Sequence, residues 1–330
     1  MNLTKELIME RKYSIDLLRV LSAIAVIIIH TVSSPVSNSS VEIPTSLISN
    51  LNMIHNLMNW SVPVFFMITG YCLLRKENCS YKYCFSHVVK YICVLFTVGL
   101  FYALLEEVFV SKTVNISVLV KSLFNVISGN LWEHMWFVYA IIGIYLVMPI
   151  IHLFIKQSTH NALILTGLLF LFDIFLPTFE KWITVGIAFP FGGYLFYVCL
   201  GGVIAQNNIS KTTSCFVYLV GLLSAIYIAF DSYIIGYNHL SVCLMATSIF
   251  LLVSKLNIKS NKLLLCVSNC TLGIYLIHPL FINIAIKLLR IDVITSQTYL
   301  KLVVFTIAVL AVSFLSTYIL RKIPLVKQLF

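Results

Sequence analysis

The chain has 330 residues, of which 60% are apolar and only 10% are charged, and its formal net charge is +10. Soluble domains carry about 25% charged residues, so this composition indicates a polytopic membrane protein and excludes an ordinary soluble domain. The positive charge does not indicate a nucleic-acid-binding protein, because the basic residues stand in short clusters between apolar runs, as in membrane loops.

Ten apolar runs approach the ~20 residues with which a helix crosses a bilayer. They cover residues 14–33, 54–74, 86–106, 135–155, 161–178, 183–205, 214–231, 236–254, 266–287 and 299–320. Residues 116–128 have the pattern of an amphipathic helix at the membrane interface. The predicted fold is therefore an all-α, polytopic helical bundle of about ten transmembrane helices. No internal repeat or linker is visible, so residues 1–330 are predicted to form one membrane domain.

The distribution of Lys and Arg predicts the orientation of this bundle. An even number of spans places both ends of the chain on the same side of the membrane. With the N-terminus inside, 16 of the 22 basic residues fall in inner segments and 6 in outer segments. Because basic residues concentrate in cytoplasmic loops, both termini are predicted to be cytoplasmic. Residues 1–11 are polar and no cleavage site follows the first run, so no cleavable signal peptide is expected.

The first run, 15-IDLLRVLSAIAVIIIHTV-32, contains two basic side chains, Arg19 near its start and His30 eleven residues later. Eleven residues make three helical turns plus about 20°, so Arg19 and His30 share one face and lie ~16 Å apart along the axis. Asp16, three residues before Arg19, is a predicted salt-bridge partner. Two interpretations are open. Either Arg19 reaches the lipid headgroups and His30 caps the outer end, or both face a polar cavity, as ionisable groups within spans usually do.

The second interpretation offers chemistry. An imidazole titrates near neutral pH and can remove the proton of a hydroxyl group. A guanidinium group binds phosphate through two parallel hydrogen bonds. A basic cluster after the second run adds further cations, which either attract phosphates or only set the topology. Its members are Arg75, Lys76, Lys82 and Lys90.

The later polar and aromatic residues also have two readings each. His134, Trp136 and Tyr139 are typical of an aromatic belt at the membrane interface or of a substrate pocket, and Glu133 is a candidate carboxylate partner of His134. His278 lies within the ninth run and is either a structural histidine or part of the same pocket.

Several site classes find no support in the sequence. No HxxxH or HExxH pattern occurs, so no metal site is predicted. No GxSxG pattern occurs, so direct transfer is favoured over an acyl-enzyme. The glycine pairs 192–193 and 201–202 are predicted to permit close helix packing. Glu106 and Glu107 end the third run without a basic partner nearby in sequence, so both are predicted to be solvated.

Four stretches, in order along most of the chain, resemble the motifs of the acyltransferase family 3 membrane proteins. The first is the Asp-Leu-Leu-Arg opening with His30 eleven residues after Arg19. The second is 61-SVPVFFMITGYCLL-74, in which Thr69 replaces the usual serine. The others are 134-HMWFVYAIIGIYLVMPI-150 and 273-GIYLIHP-279. Together these four stretches are a fairly specific signature of the family.

The resemblance implies a mechanism and roles for the residues that match. Acyl-CoA would bind from the cytoplasm, and the acyl group would reach a sugar hydroxyl near the outer face. His30 would be the general base, and Arg19 would contact the phosphate or pantetheine part of the donor. Arg75 and Lys90 would also bind the donor, although the family usually has a Lys/Arg pair where this chain has Val89 and Lys90.

The same resemblance extends to the acceptor side and to the class of reaction. It implies that His134, Trp136 and Tyr139 line the acceptor pocket or orient the catalytic imidazole. Glu133 and His278 are further candidates for the same pocket. The expected activity is transfer of an acetyl group from acetyl-CoA to a surface polysaccharide or lipid-linked sugar, as in stand-alone members that modify enterobacterial common antigen. The expected location is the bacterial inner membrane, with acetyl-CoA, a carbohydrate and the lipid bilayer as partners, no nucleic acid and no permanently bound cofactor.

Three other functions remain open from the sequence. An O-succinyltransferase of an exopolysaccharide would use the same site with a different donor. A transporter or flippase of a polysaccharide or lipid-linked sugar would use the polar cavity without bond chemistry. A membrane sensor or ligand-binding module is the third, and the lack of an attached soluble domain in this sequence speaks against it.

Overall fold

A computed structural model of the chain describes residues 11–39, 42–179 and 193–329, and within these ranges it contains helices and no strand. The helices are α1 (Tyr13–Ser37), α2 (Thr45–Met58), α3 (Ser61–Leu74), α4 (Tyr81–Ser111), α5 (Ile116–Ser128), α6 (Glu133–Gln157), α7 (Thr159–Thr178), α8 (Tyr194–Gln206), α9 (Lys211–Ala229), α10 (Leu240–Ser254), α11 (Lys262–Leu288), α12 (Thr298–Leu320) and α13 (Pro324–Leu329).

The predicted polytopic helical bundle is confirmed. Eight helical segments of the described residues are long and apolar enough to cross a membrane: α1, α2 with α3, α4, α6, α7, α9, α11 and α12. The predicted runs 183–205 and 236–254 correspond instead to the shorter apolar helices α8 and α10. The first part of the run 183–205 lies outside the described residues. The predicted amphipathic helix at 116–128 is α5.

Helix α1 lies at the centre of the bundle. It packs against α2, α3, α10, α11 and α12. In its most apolar window 61% of the residues are buried, against 22% in α9 and 28% in α7 and in α12. The peripheral helices therefore present apolar surface outward, which suits lipid tails, while the polar residues of α1 face other helices. The central position of α1 is what places Arg19 and His30 inside the protein.

The tightest helix pair, α3 and α8, depends on glycine. A Cβ atom on Gly70 would lie 1.7 Å from the backbone oxygen of Val198, and one on Gly201 would lie 2.0 Å from that of Met67. Only glycine lets two helix backbones approach this closely. The close packing predicted for residues 201–202 is confirmed, whereas Gly192 lies outside the described residues.

Helix α2 is attached to the loop before α10 by a row of asparagines. Three side chains on one face of α2 donate hydrogen bonds of 2.6–2.9 Å to backbone carbonyls of residues 232–235: Asn52, Asn56 and Asn59. The Asn56 carbonyl oxygen also accepts from the backbone N–H of Ile235 at 2.9 Å. Since Asn56 and Asn59 are buried, these bonds fix α2 at the end of the bundle.

Both ends of the described chain meet at one end of the bundle. Arg11 donates to the side-chain oxygen of Asn269 at 3.3 Å, and Arg321 donates to the backbone oxygen of Asn269 at 2.6 Å. This placement agrees with an even number of membrane crossings. We call this end the basic end; the charge distribution predicts that it is cytoplasmic.

The glycine contact between α3 and α8 predicts a position-specific effect of a methyl group. Gly201→Ala is expected to destabilise the protein by about 1–3 kcal/mol, because the new Cβ forces the two backbones apart. Gly167→Ala is the matched control, since a Cβ on Gly167 of α7 meets nothing within 4 Å and alanine favours the helix. Thermal unfolding in detergent measures both variants. Equal melting temperatures for the two would contradict the close approach.

Candidate active site

A buried carboxylate organises the basic end of the bundle. The side chain of Asp16 is 1% exposed. It accepts hydrogen bonds from Arg11 at both oxygens at 2.8 Å, from Arg19 at 3.2 Å and from the Ser268 hydroxyl at 2.7 Å. The predicted pair of Asp16 and Arg19 is confirmed. Arg11 and Ser268 are partners that the sequence did not indicate, because Arg11 precedes the helix and Ser268 lies 252 residues away.

Arg19 lines a cavity of about 350 Å³ between α1, α3, α4, α6 and α11. We call it the central cavity. Lys90 is a second cation on its wall, whereas the preceding Val89 is 44% exposed on the outside of α4. Much of the remaining wall is aromatic, and His87 stacks on Tyr145 with a ring-centroid distance of 4.9 Å. This cavity therefore combines positive charge with flat apolar surfaces.

A second cavity of about 280 Å³ shares Arg19 and Cys72 with the central cavity. It reaches the basic end of the protein, and we call it the basic vestibule. Its cationic lining residues are Arg11, Lys12, Arg19, Arg75 and Lys76. The guanidinium of Arg75 donates to the Tyr71 hydroxyl at 3.1 Å, which orients it. The vestibule has the charge to attract an anion, since Asp16 is its one acidic lining residue among those described.

Three histidines from three helices meet deeper in the bundle. The ring centroids of His30 and His278 lie 5.1 Å apart, and those of His134 and His278 lie 5.9 Å apart. His134 and His278 are 3% and 0% exposed, while His30 is partly exposed. We call these residues the histidine cluster. The sequence predicted each member separately, and the structure brings all three together.

Backbone contacts orient the cluster. The Nδ1 atom of His278 lies 3.2 Å from the backbone oxygen of Ile274. Because a carbonyl only accepts, Nδ1 carries the proton and Nε2 of the neutral ring carries the lone pair. The Tyr275 hydroxyl donates to the backbone oxygen of His134. Among the described residues, Nε2 of His134 and Nε2 of His278 have no hydrogen-bond partner, so two unpaired polar atoms face the interior near His30.

Two aromatic rings lie where the central cavity meets the histidine cluster. Phe137 and Tyr275 line the cavity, and their ring centroids lie 5.4 Å apart. The Tyr275 ring is also 6.0 Å from that of His278 and 5.9 Å from that of His134. His30 does not line the central cavity. Tyr275 therefore borders both the central cavity and the histidine cluster, and we call the pair of Phe137 and Tyr275 the aromatic layer.

The other predicted pocket residues lie around the cluster with different contacts. Trp136 stacks on Tyr194 at a centroid distance of 4.8 Å. The Tyr139 hydroxyl donates to the backbone oxygen of Val126 in α5 at 2.5 Å. Glu133 is exposed whereas His134 is buried, and no ion pair joins these two neighbours. The sequence-based partnership of Glu133 with His134 therefore has no counterpart in the contacts of the structure.

The prediction that Glu106 and Glu107 are solvated is wrong for Glu107. Its carboxylate is 2.8 Å from the Lys121 ammonium and accepts from Asn125 at 3.0 Å, and the residue is 9% exposed. Glu106 accepts from the Trp132 indole at 3.2 Å. The reason is the tertiary structure. Helix α5 folds back onto the end of α4 and places Lys121, 14 residues after Glu107 in sequence, beside the carboxylate.

Sequence reasoning also missed His55, whose Nδ1 lies 2.8 Å from the hydroxyl oxygen of Ser33, one helical turn after His30 on α1. A single histidine on a helix rich in asparagine carries no pattern that would have identified it. In the part of the chain that the structure describes, no group of three or more His, Cys, Asp or Glu residues is arranged to hold a metal ion.

The family model of the acyltransferase domain, Acyl_transf_3, matches residues 12–321. The chain therefore belongs to acyltransferase family 3, and it is a multi-pass membrane acyltransferase. The match includes every member of the basic vestibule except Arg11, the central cavity and the histidine cluster. Comparison with curated proteins and with solved structures yields no match.

The contacts of Asp16 predict that its charge stabilises the basic end. Asp16→Asn keeps the shape but removes a charge that three side chains share, so a loss of about 1–3 kcal/mol is expected. The control is Glu77→Gln, since Glu77 is exposed. Thermal unfolding in detergent measures both variants. A melting temperature of Asp16→Asn equal to that of the control would show that the buried carboxylate is not a structural centre.

Proposed function

We propose that this acyltransferase moves an acetyl group from acetyl-CoA to a hydroxyl of a surface polysaccharide or lipid-linked sugar, in the bacterial inner membrane. The observation that carries the proposal is the position of Arg19. Its side chain lines both the basic vestibule and the central cavity, and the far wall of that cavity, at Tyr275, touches the histidine cluster. Cations, a passage and a base thus follow one another along the bundle.

The basic end suits the nucleotide part of the donor. Coenzyme A carries a pyrophosphate and a 3′-phosphate, and guanidinium and ammonium groups bind such anions with charge-assisted hydrogen bonds. The vestibule offers Lys12, Arg75 and Lys76 for this purpose, because Asp16 already partly neutralises Arg11 and Arg19. The thin pantetheine arm then extends through the central cavity, and its length suits the ~16 Å between Arg19 and His30 along the helix.

The histidine cluster suits the chemical step. His30 accepts the proton of the acceptor hydroxyl while that oxygen attacks the carbonyl carbon of the thioester. The C–O bond forms, the C–S bond breaks, and coenzyme A leaves as a thiol once its sulfur has taken up a proton. For this step the thioester must pass the aromatic layer of Phe137 and Tyr275, so a rotation of at least one of these side chains accompanies transfer.

The acceptor is expected to approach from the end opposite the vestibule. His30 is partly exposed, whereas the other two histidines are buried, and it lies about three helical turns from Arg19 in the direction away from the vestibule. A row of partly exposed rings lies beside Phe137 of the aromatic layer. Trp136 is 6.1 Å from Phe137, 4.8 Å from Tyr194 and 5.9 Å from Tyr237 between ring centroids. Aromatic rings next to an exposed carboxylate, here Glu133, are suited to the apolar faces and hydroxyls of a sugar.

Removal of the base is expected to abolish transfer. His30→Ala should lower kcat by about 10²–10⁴-fold, the usual contribution of a general base. The matched control is His160→Ala, because His160 is exposed at the start of α7. Membranes that carry each variant are given radiolabelled acetyl-CoA, and label in the glycan fraction is counted. Full transfer by folded His30→Ala would refute the assignment, and absence of transfer by the unmodified protein would instead favour transport or another donor.

Removal of one vestibule cation is expected to weaken donor binding. Arg75→Ala should raise the KM for acetyl-CoA roughly tenfold at unchanged kcat, because a charge-assisted hydrogen bond contributes about 1.5 kcal/mol. Lys156→Ala serves as the control, since Lys156 is exposed at the end of α6. Initial rates at increasing acetyl-CoA separate KM from kcat. A KM that changes equally in both variants would assign the effect to overall charge.

A further inference from the structure

A fourth histidine, His55 of α2, contacts α1 one helical turn after His30. On α1, Ser33 follows His30 by three residues and therefore shares its face. The Ser33 hydroxyl oxygen is 2.8 Å from Nδ1 of His55, which α2 contributes. The His55 ring thus lies close to the proposed base, although it belongs to none of the sequence motifs.

The hydrogen bonds of Ser33 determine which nitrogen of His55 carries the proton. A hydroxyl group has one proton to donate. Ser33 donates it to the backbone oxygen of Ile29 at 2.8 Å, since that carbonyl can only accept. The bond between Ser33 and His55 must then be donated by Nδ1–H of the imidazole. In the neutral ring the lone pair is consequently on Nε2, which is free to accept a proton.

The position of His55 is fixed from two sides. One face of α2 is attached to residues 232–235 by the asparagine bonds described above. On the other face, Leu51 lies one turn before His55, is 1% exposed and belongs to the same apolar cluster as Ile27 and Val32 of α1. A side chain held by packing and by hydrogen bonds is preorganised, as proton-transfer groups need to be.

Exposure indicates the direction in which a proton would travel. His30, Ser33 and His55 are all partly exposed, whereas His134 and His278 are buried. A proton that His30 has accepted therefore reaches solvent most directly by way of His55. Transfer through His134 or His278 would place a charge in the apolar interior, which is costly.

We propose that His55 is a positioning residue that relays the proton of the acceptor hydroxyl from His30 to water at the end of the bundle opposite the vestibule. The inference rests on the proposed function. In the relay the hydroxyl O–H bond breaks and an N–H bond forms on His30. That proton moves by way of water to Nε2 of His55 and from there to the solvent. The thiolate of coenzyme A takes its proton from water on the vestibule side, so one proton is released at one end and one is taken up at the other.

The test uses a variant that retains the Ser33 contact but lacks the second nitrogen. The amide of His55→Asn can still donate to Ser33, as Nδ1 does, but it offers no base in place of Nε2. Label transfer from radiolabelled acetyl-CoA to the membrane glycans is expected to show kcat reduced about 10- to 100-fold with KM for acetyl-CoA unchanged. Added imidazole should restore most of the lost rate, because the site is partly exposed.

The controls separate the relay from a structural role and from the proposed function itself. His160→Asn should neither slow transfer nor respond to imidazole. Ser33→Ala should slow transfer in the presence of His55 and add no further loss to His55→Asn, because its role is to set the tautomer. A slow His55→Asn protein that imidazole does not rescue, or one with unchanged kcat, would overturn the relay. No transfer by the unmodified protein would overturn the proposed function and the relay with it.

Discussion

The absence of water around a membrane-spanning bundle requires that polar groups find their partners within the protein. In this chain the requirement is met chiefly along α1. At one end of α1, Asp16 accepts hydrogen bonds from Arg11, Arg19 and Ser268 and thereby links α1 to the preceding segment and to α11. The same bonds direct Arg19 into the two cavities rather than towards lipid. The position of the whole candidate site follows from this one buried carboxylate.

The two ends of the bundle differ in chemistry. The basic end gathers the cations of the vestibule, whereas the opposite end gathers histidine, serine and asparagine side chains around α2. Long runs of apolar residues on α7, α9 and α12 surround both and face outward. A donor with phosphate groups and an acceptor rich in hydroxyls would each meet the end that suits its own polar groups, and they would meet each other near His30.

Much of the fold followed from local sequence properties. Apolar run length predicted eight of the spans, and the spacing of Arg19 and His30 predicted that both share one face of α1, because helical periodicity is a local rule. The clustering of His30 with His134 and His278 could not be predicted from the sequence. It depends on how α1, α6 and α11 pack, over more than 240 residues of sequence separation. The family resemblance named these residues but did not give their distances.

The wrong or incomplete predictions also result from contacts between residues that are far apart in sequence. Glu107 was expected in water, yet Lys121 and Asn125 reach it because α5 folds back. Helix α2 was only partly included in the predicted run 54–74, because its asparagines resemble loop residues and are instead paired with the loop before α10. Polar residues that are satisfied by distant backbone atoms cannot be distinguished from exposed ones by composition alone.

The aromatic layer of Phe137 and Tyr275 has a consequence for the membrane as well as for the enzyme. A protein with openings at both ends of a bilayer would dissipate the electrochemical gradient if water ran continuously between them. Two rings pack against each other where the central cavity meets the histidine cluster, and one of them is anchored by its hydroxyl to the backbone of His134. Such a packed pair would interrupt a continuous file of water. In the proposed reaction the gradient would thereby be retained, and the thioester-linked acyl chain would have only these two side chains to pass.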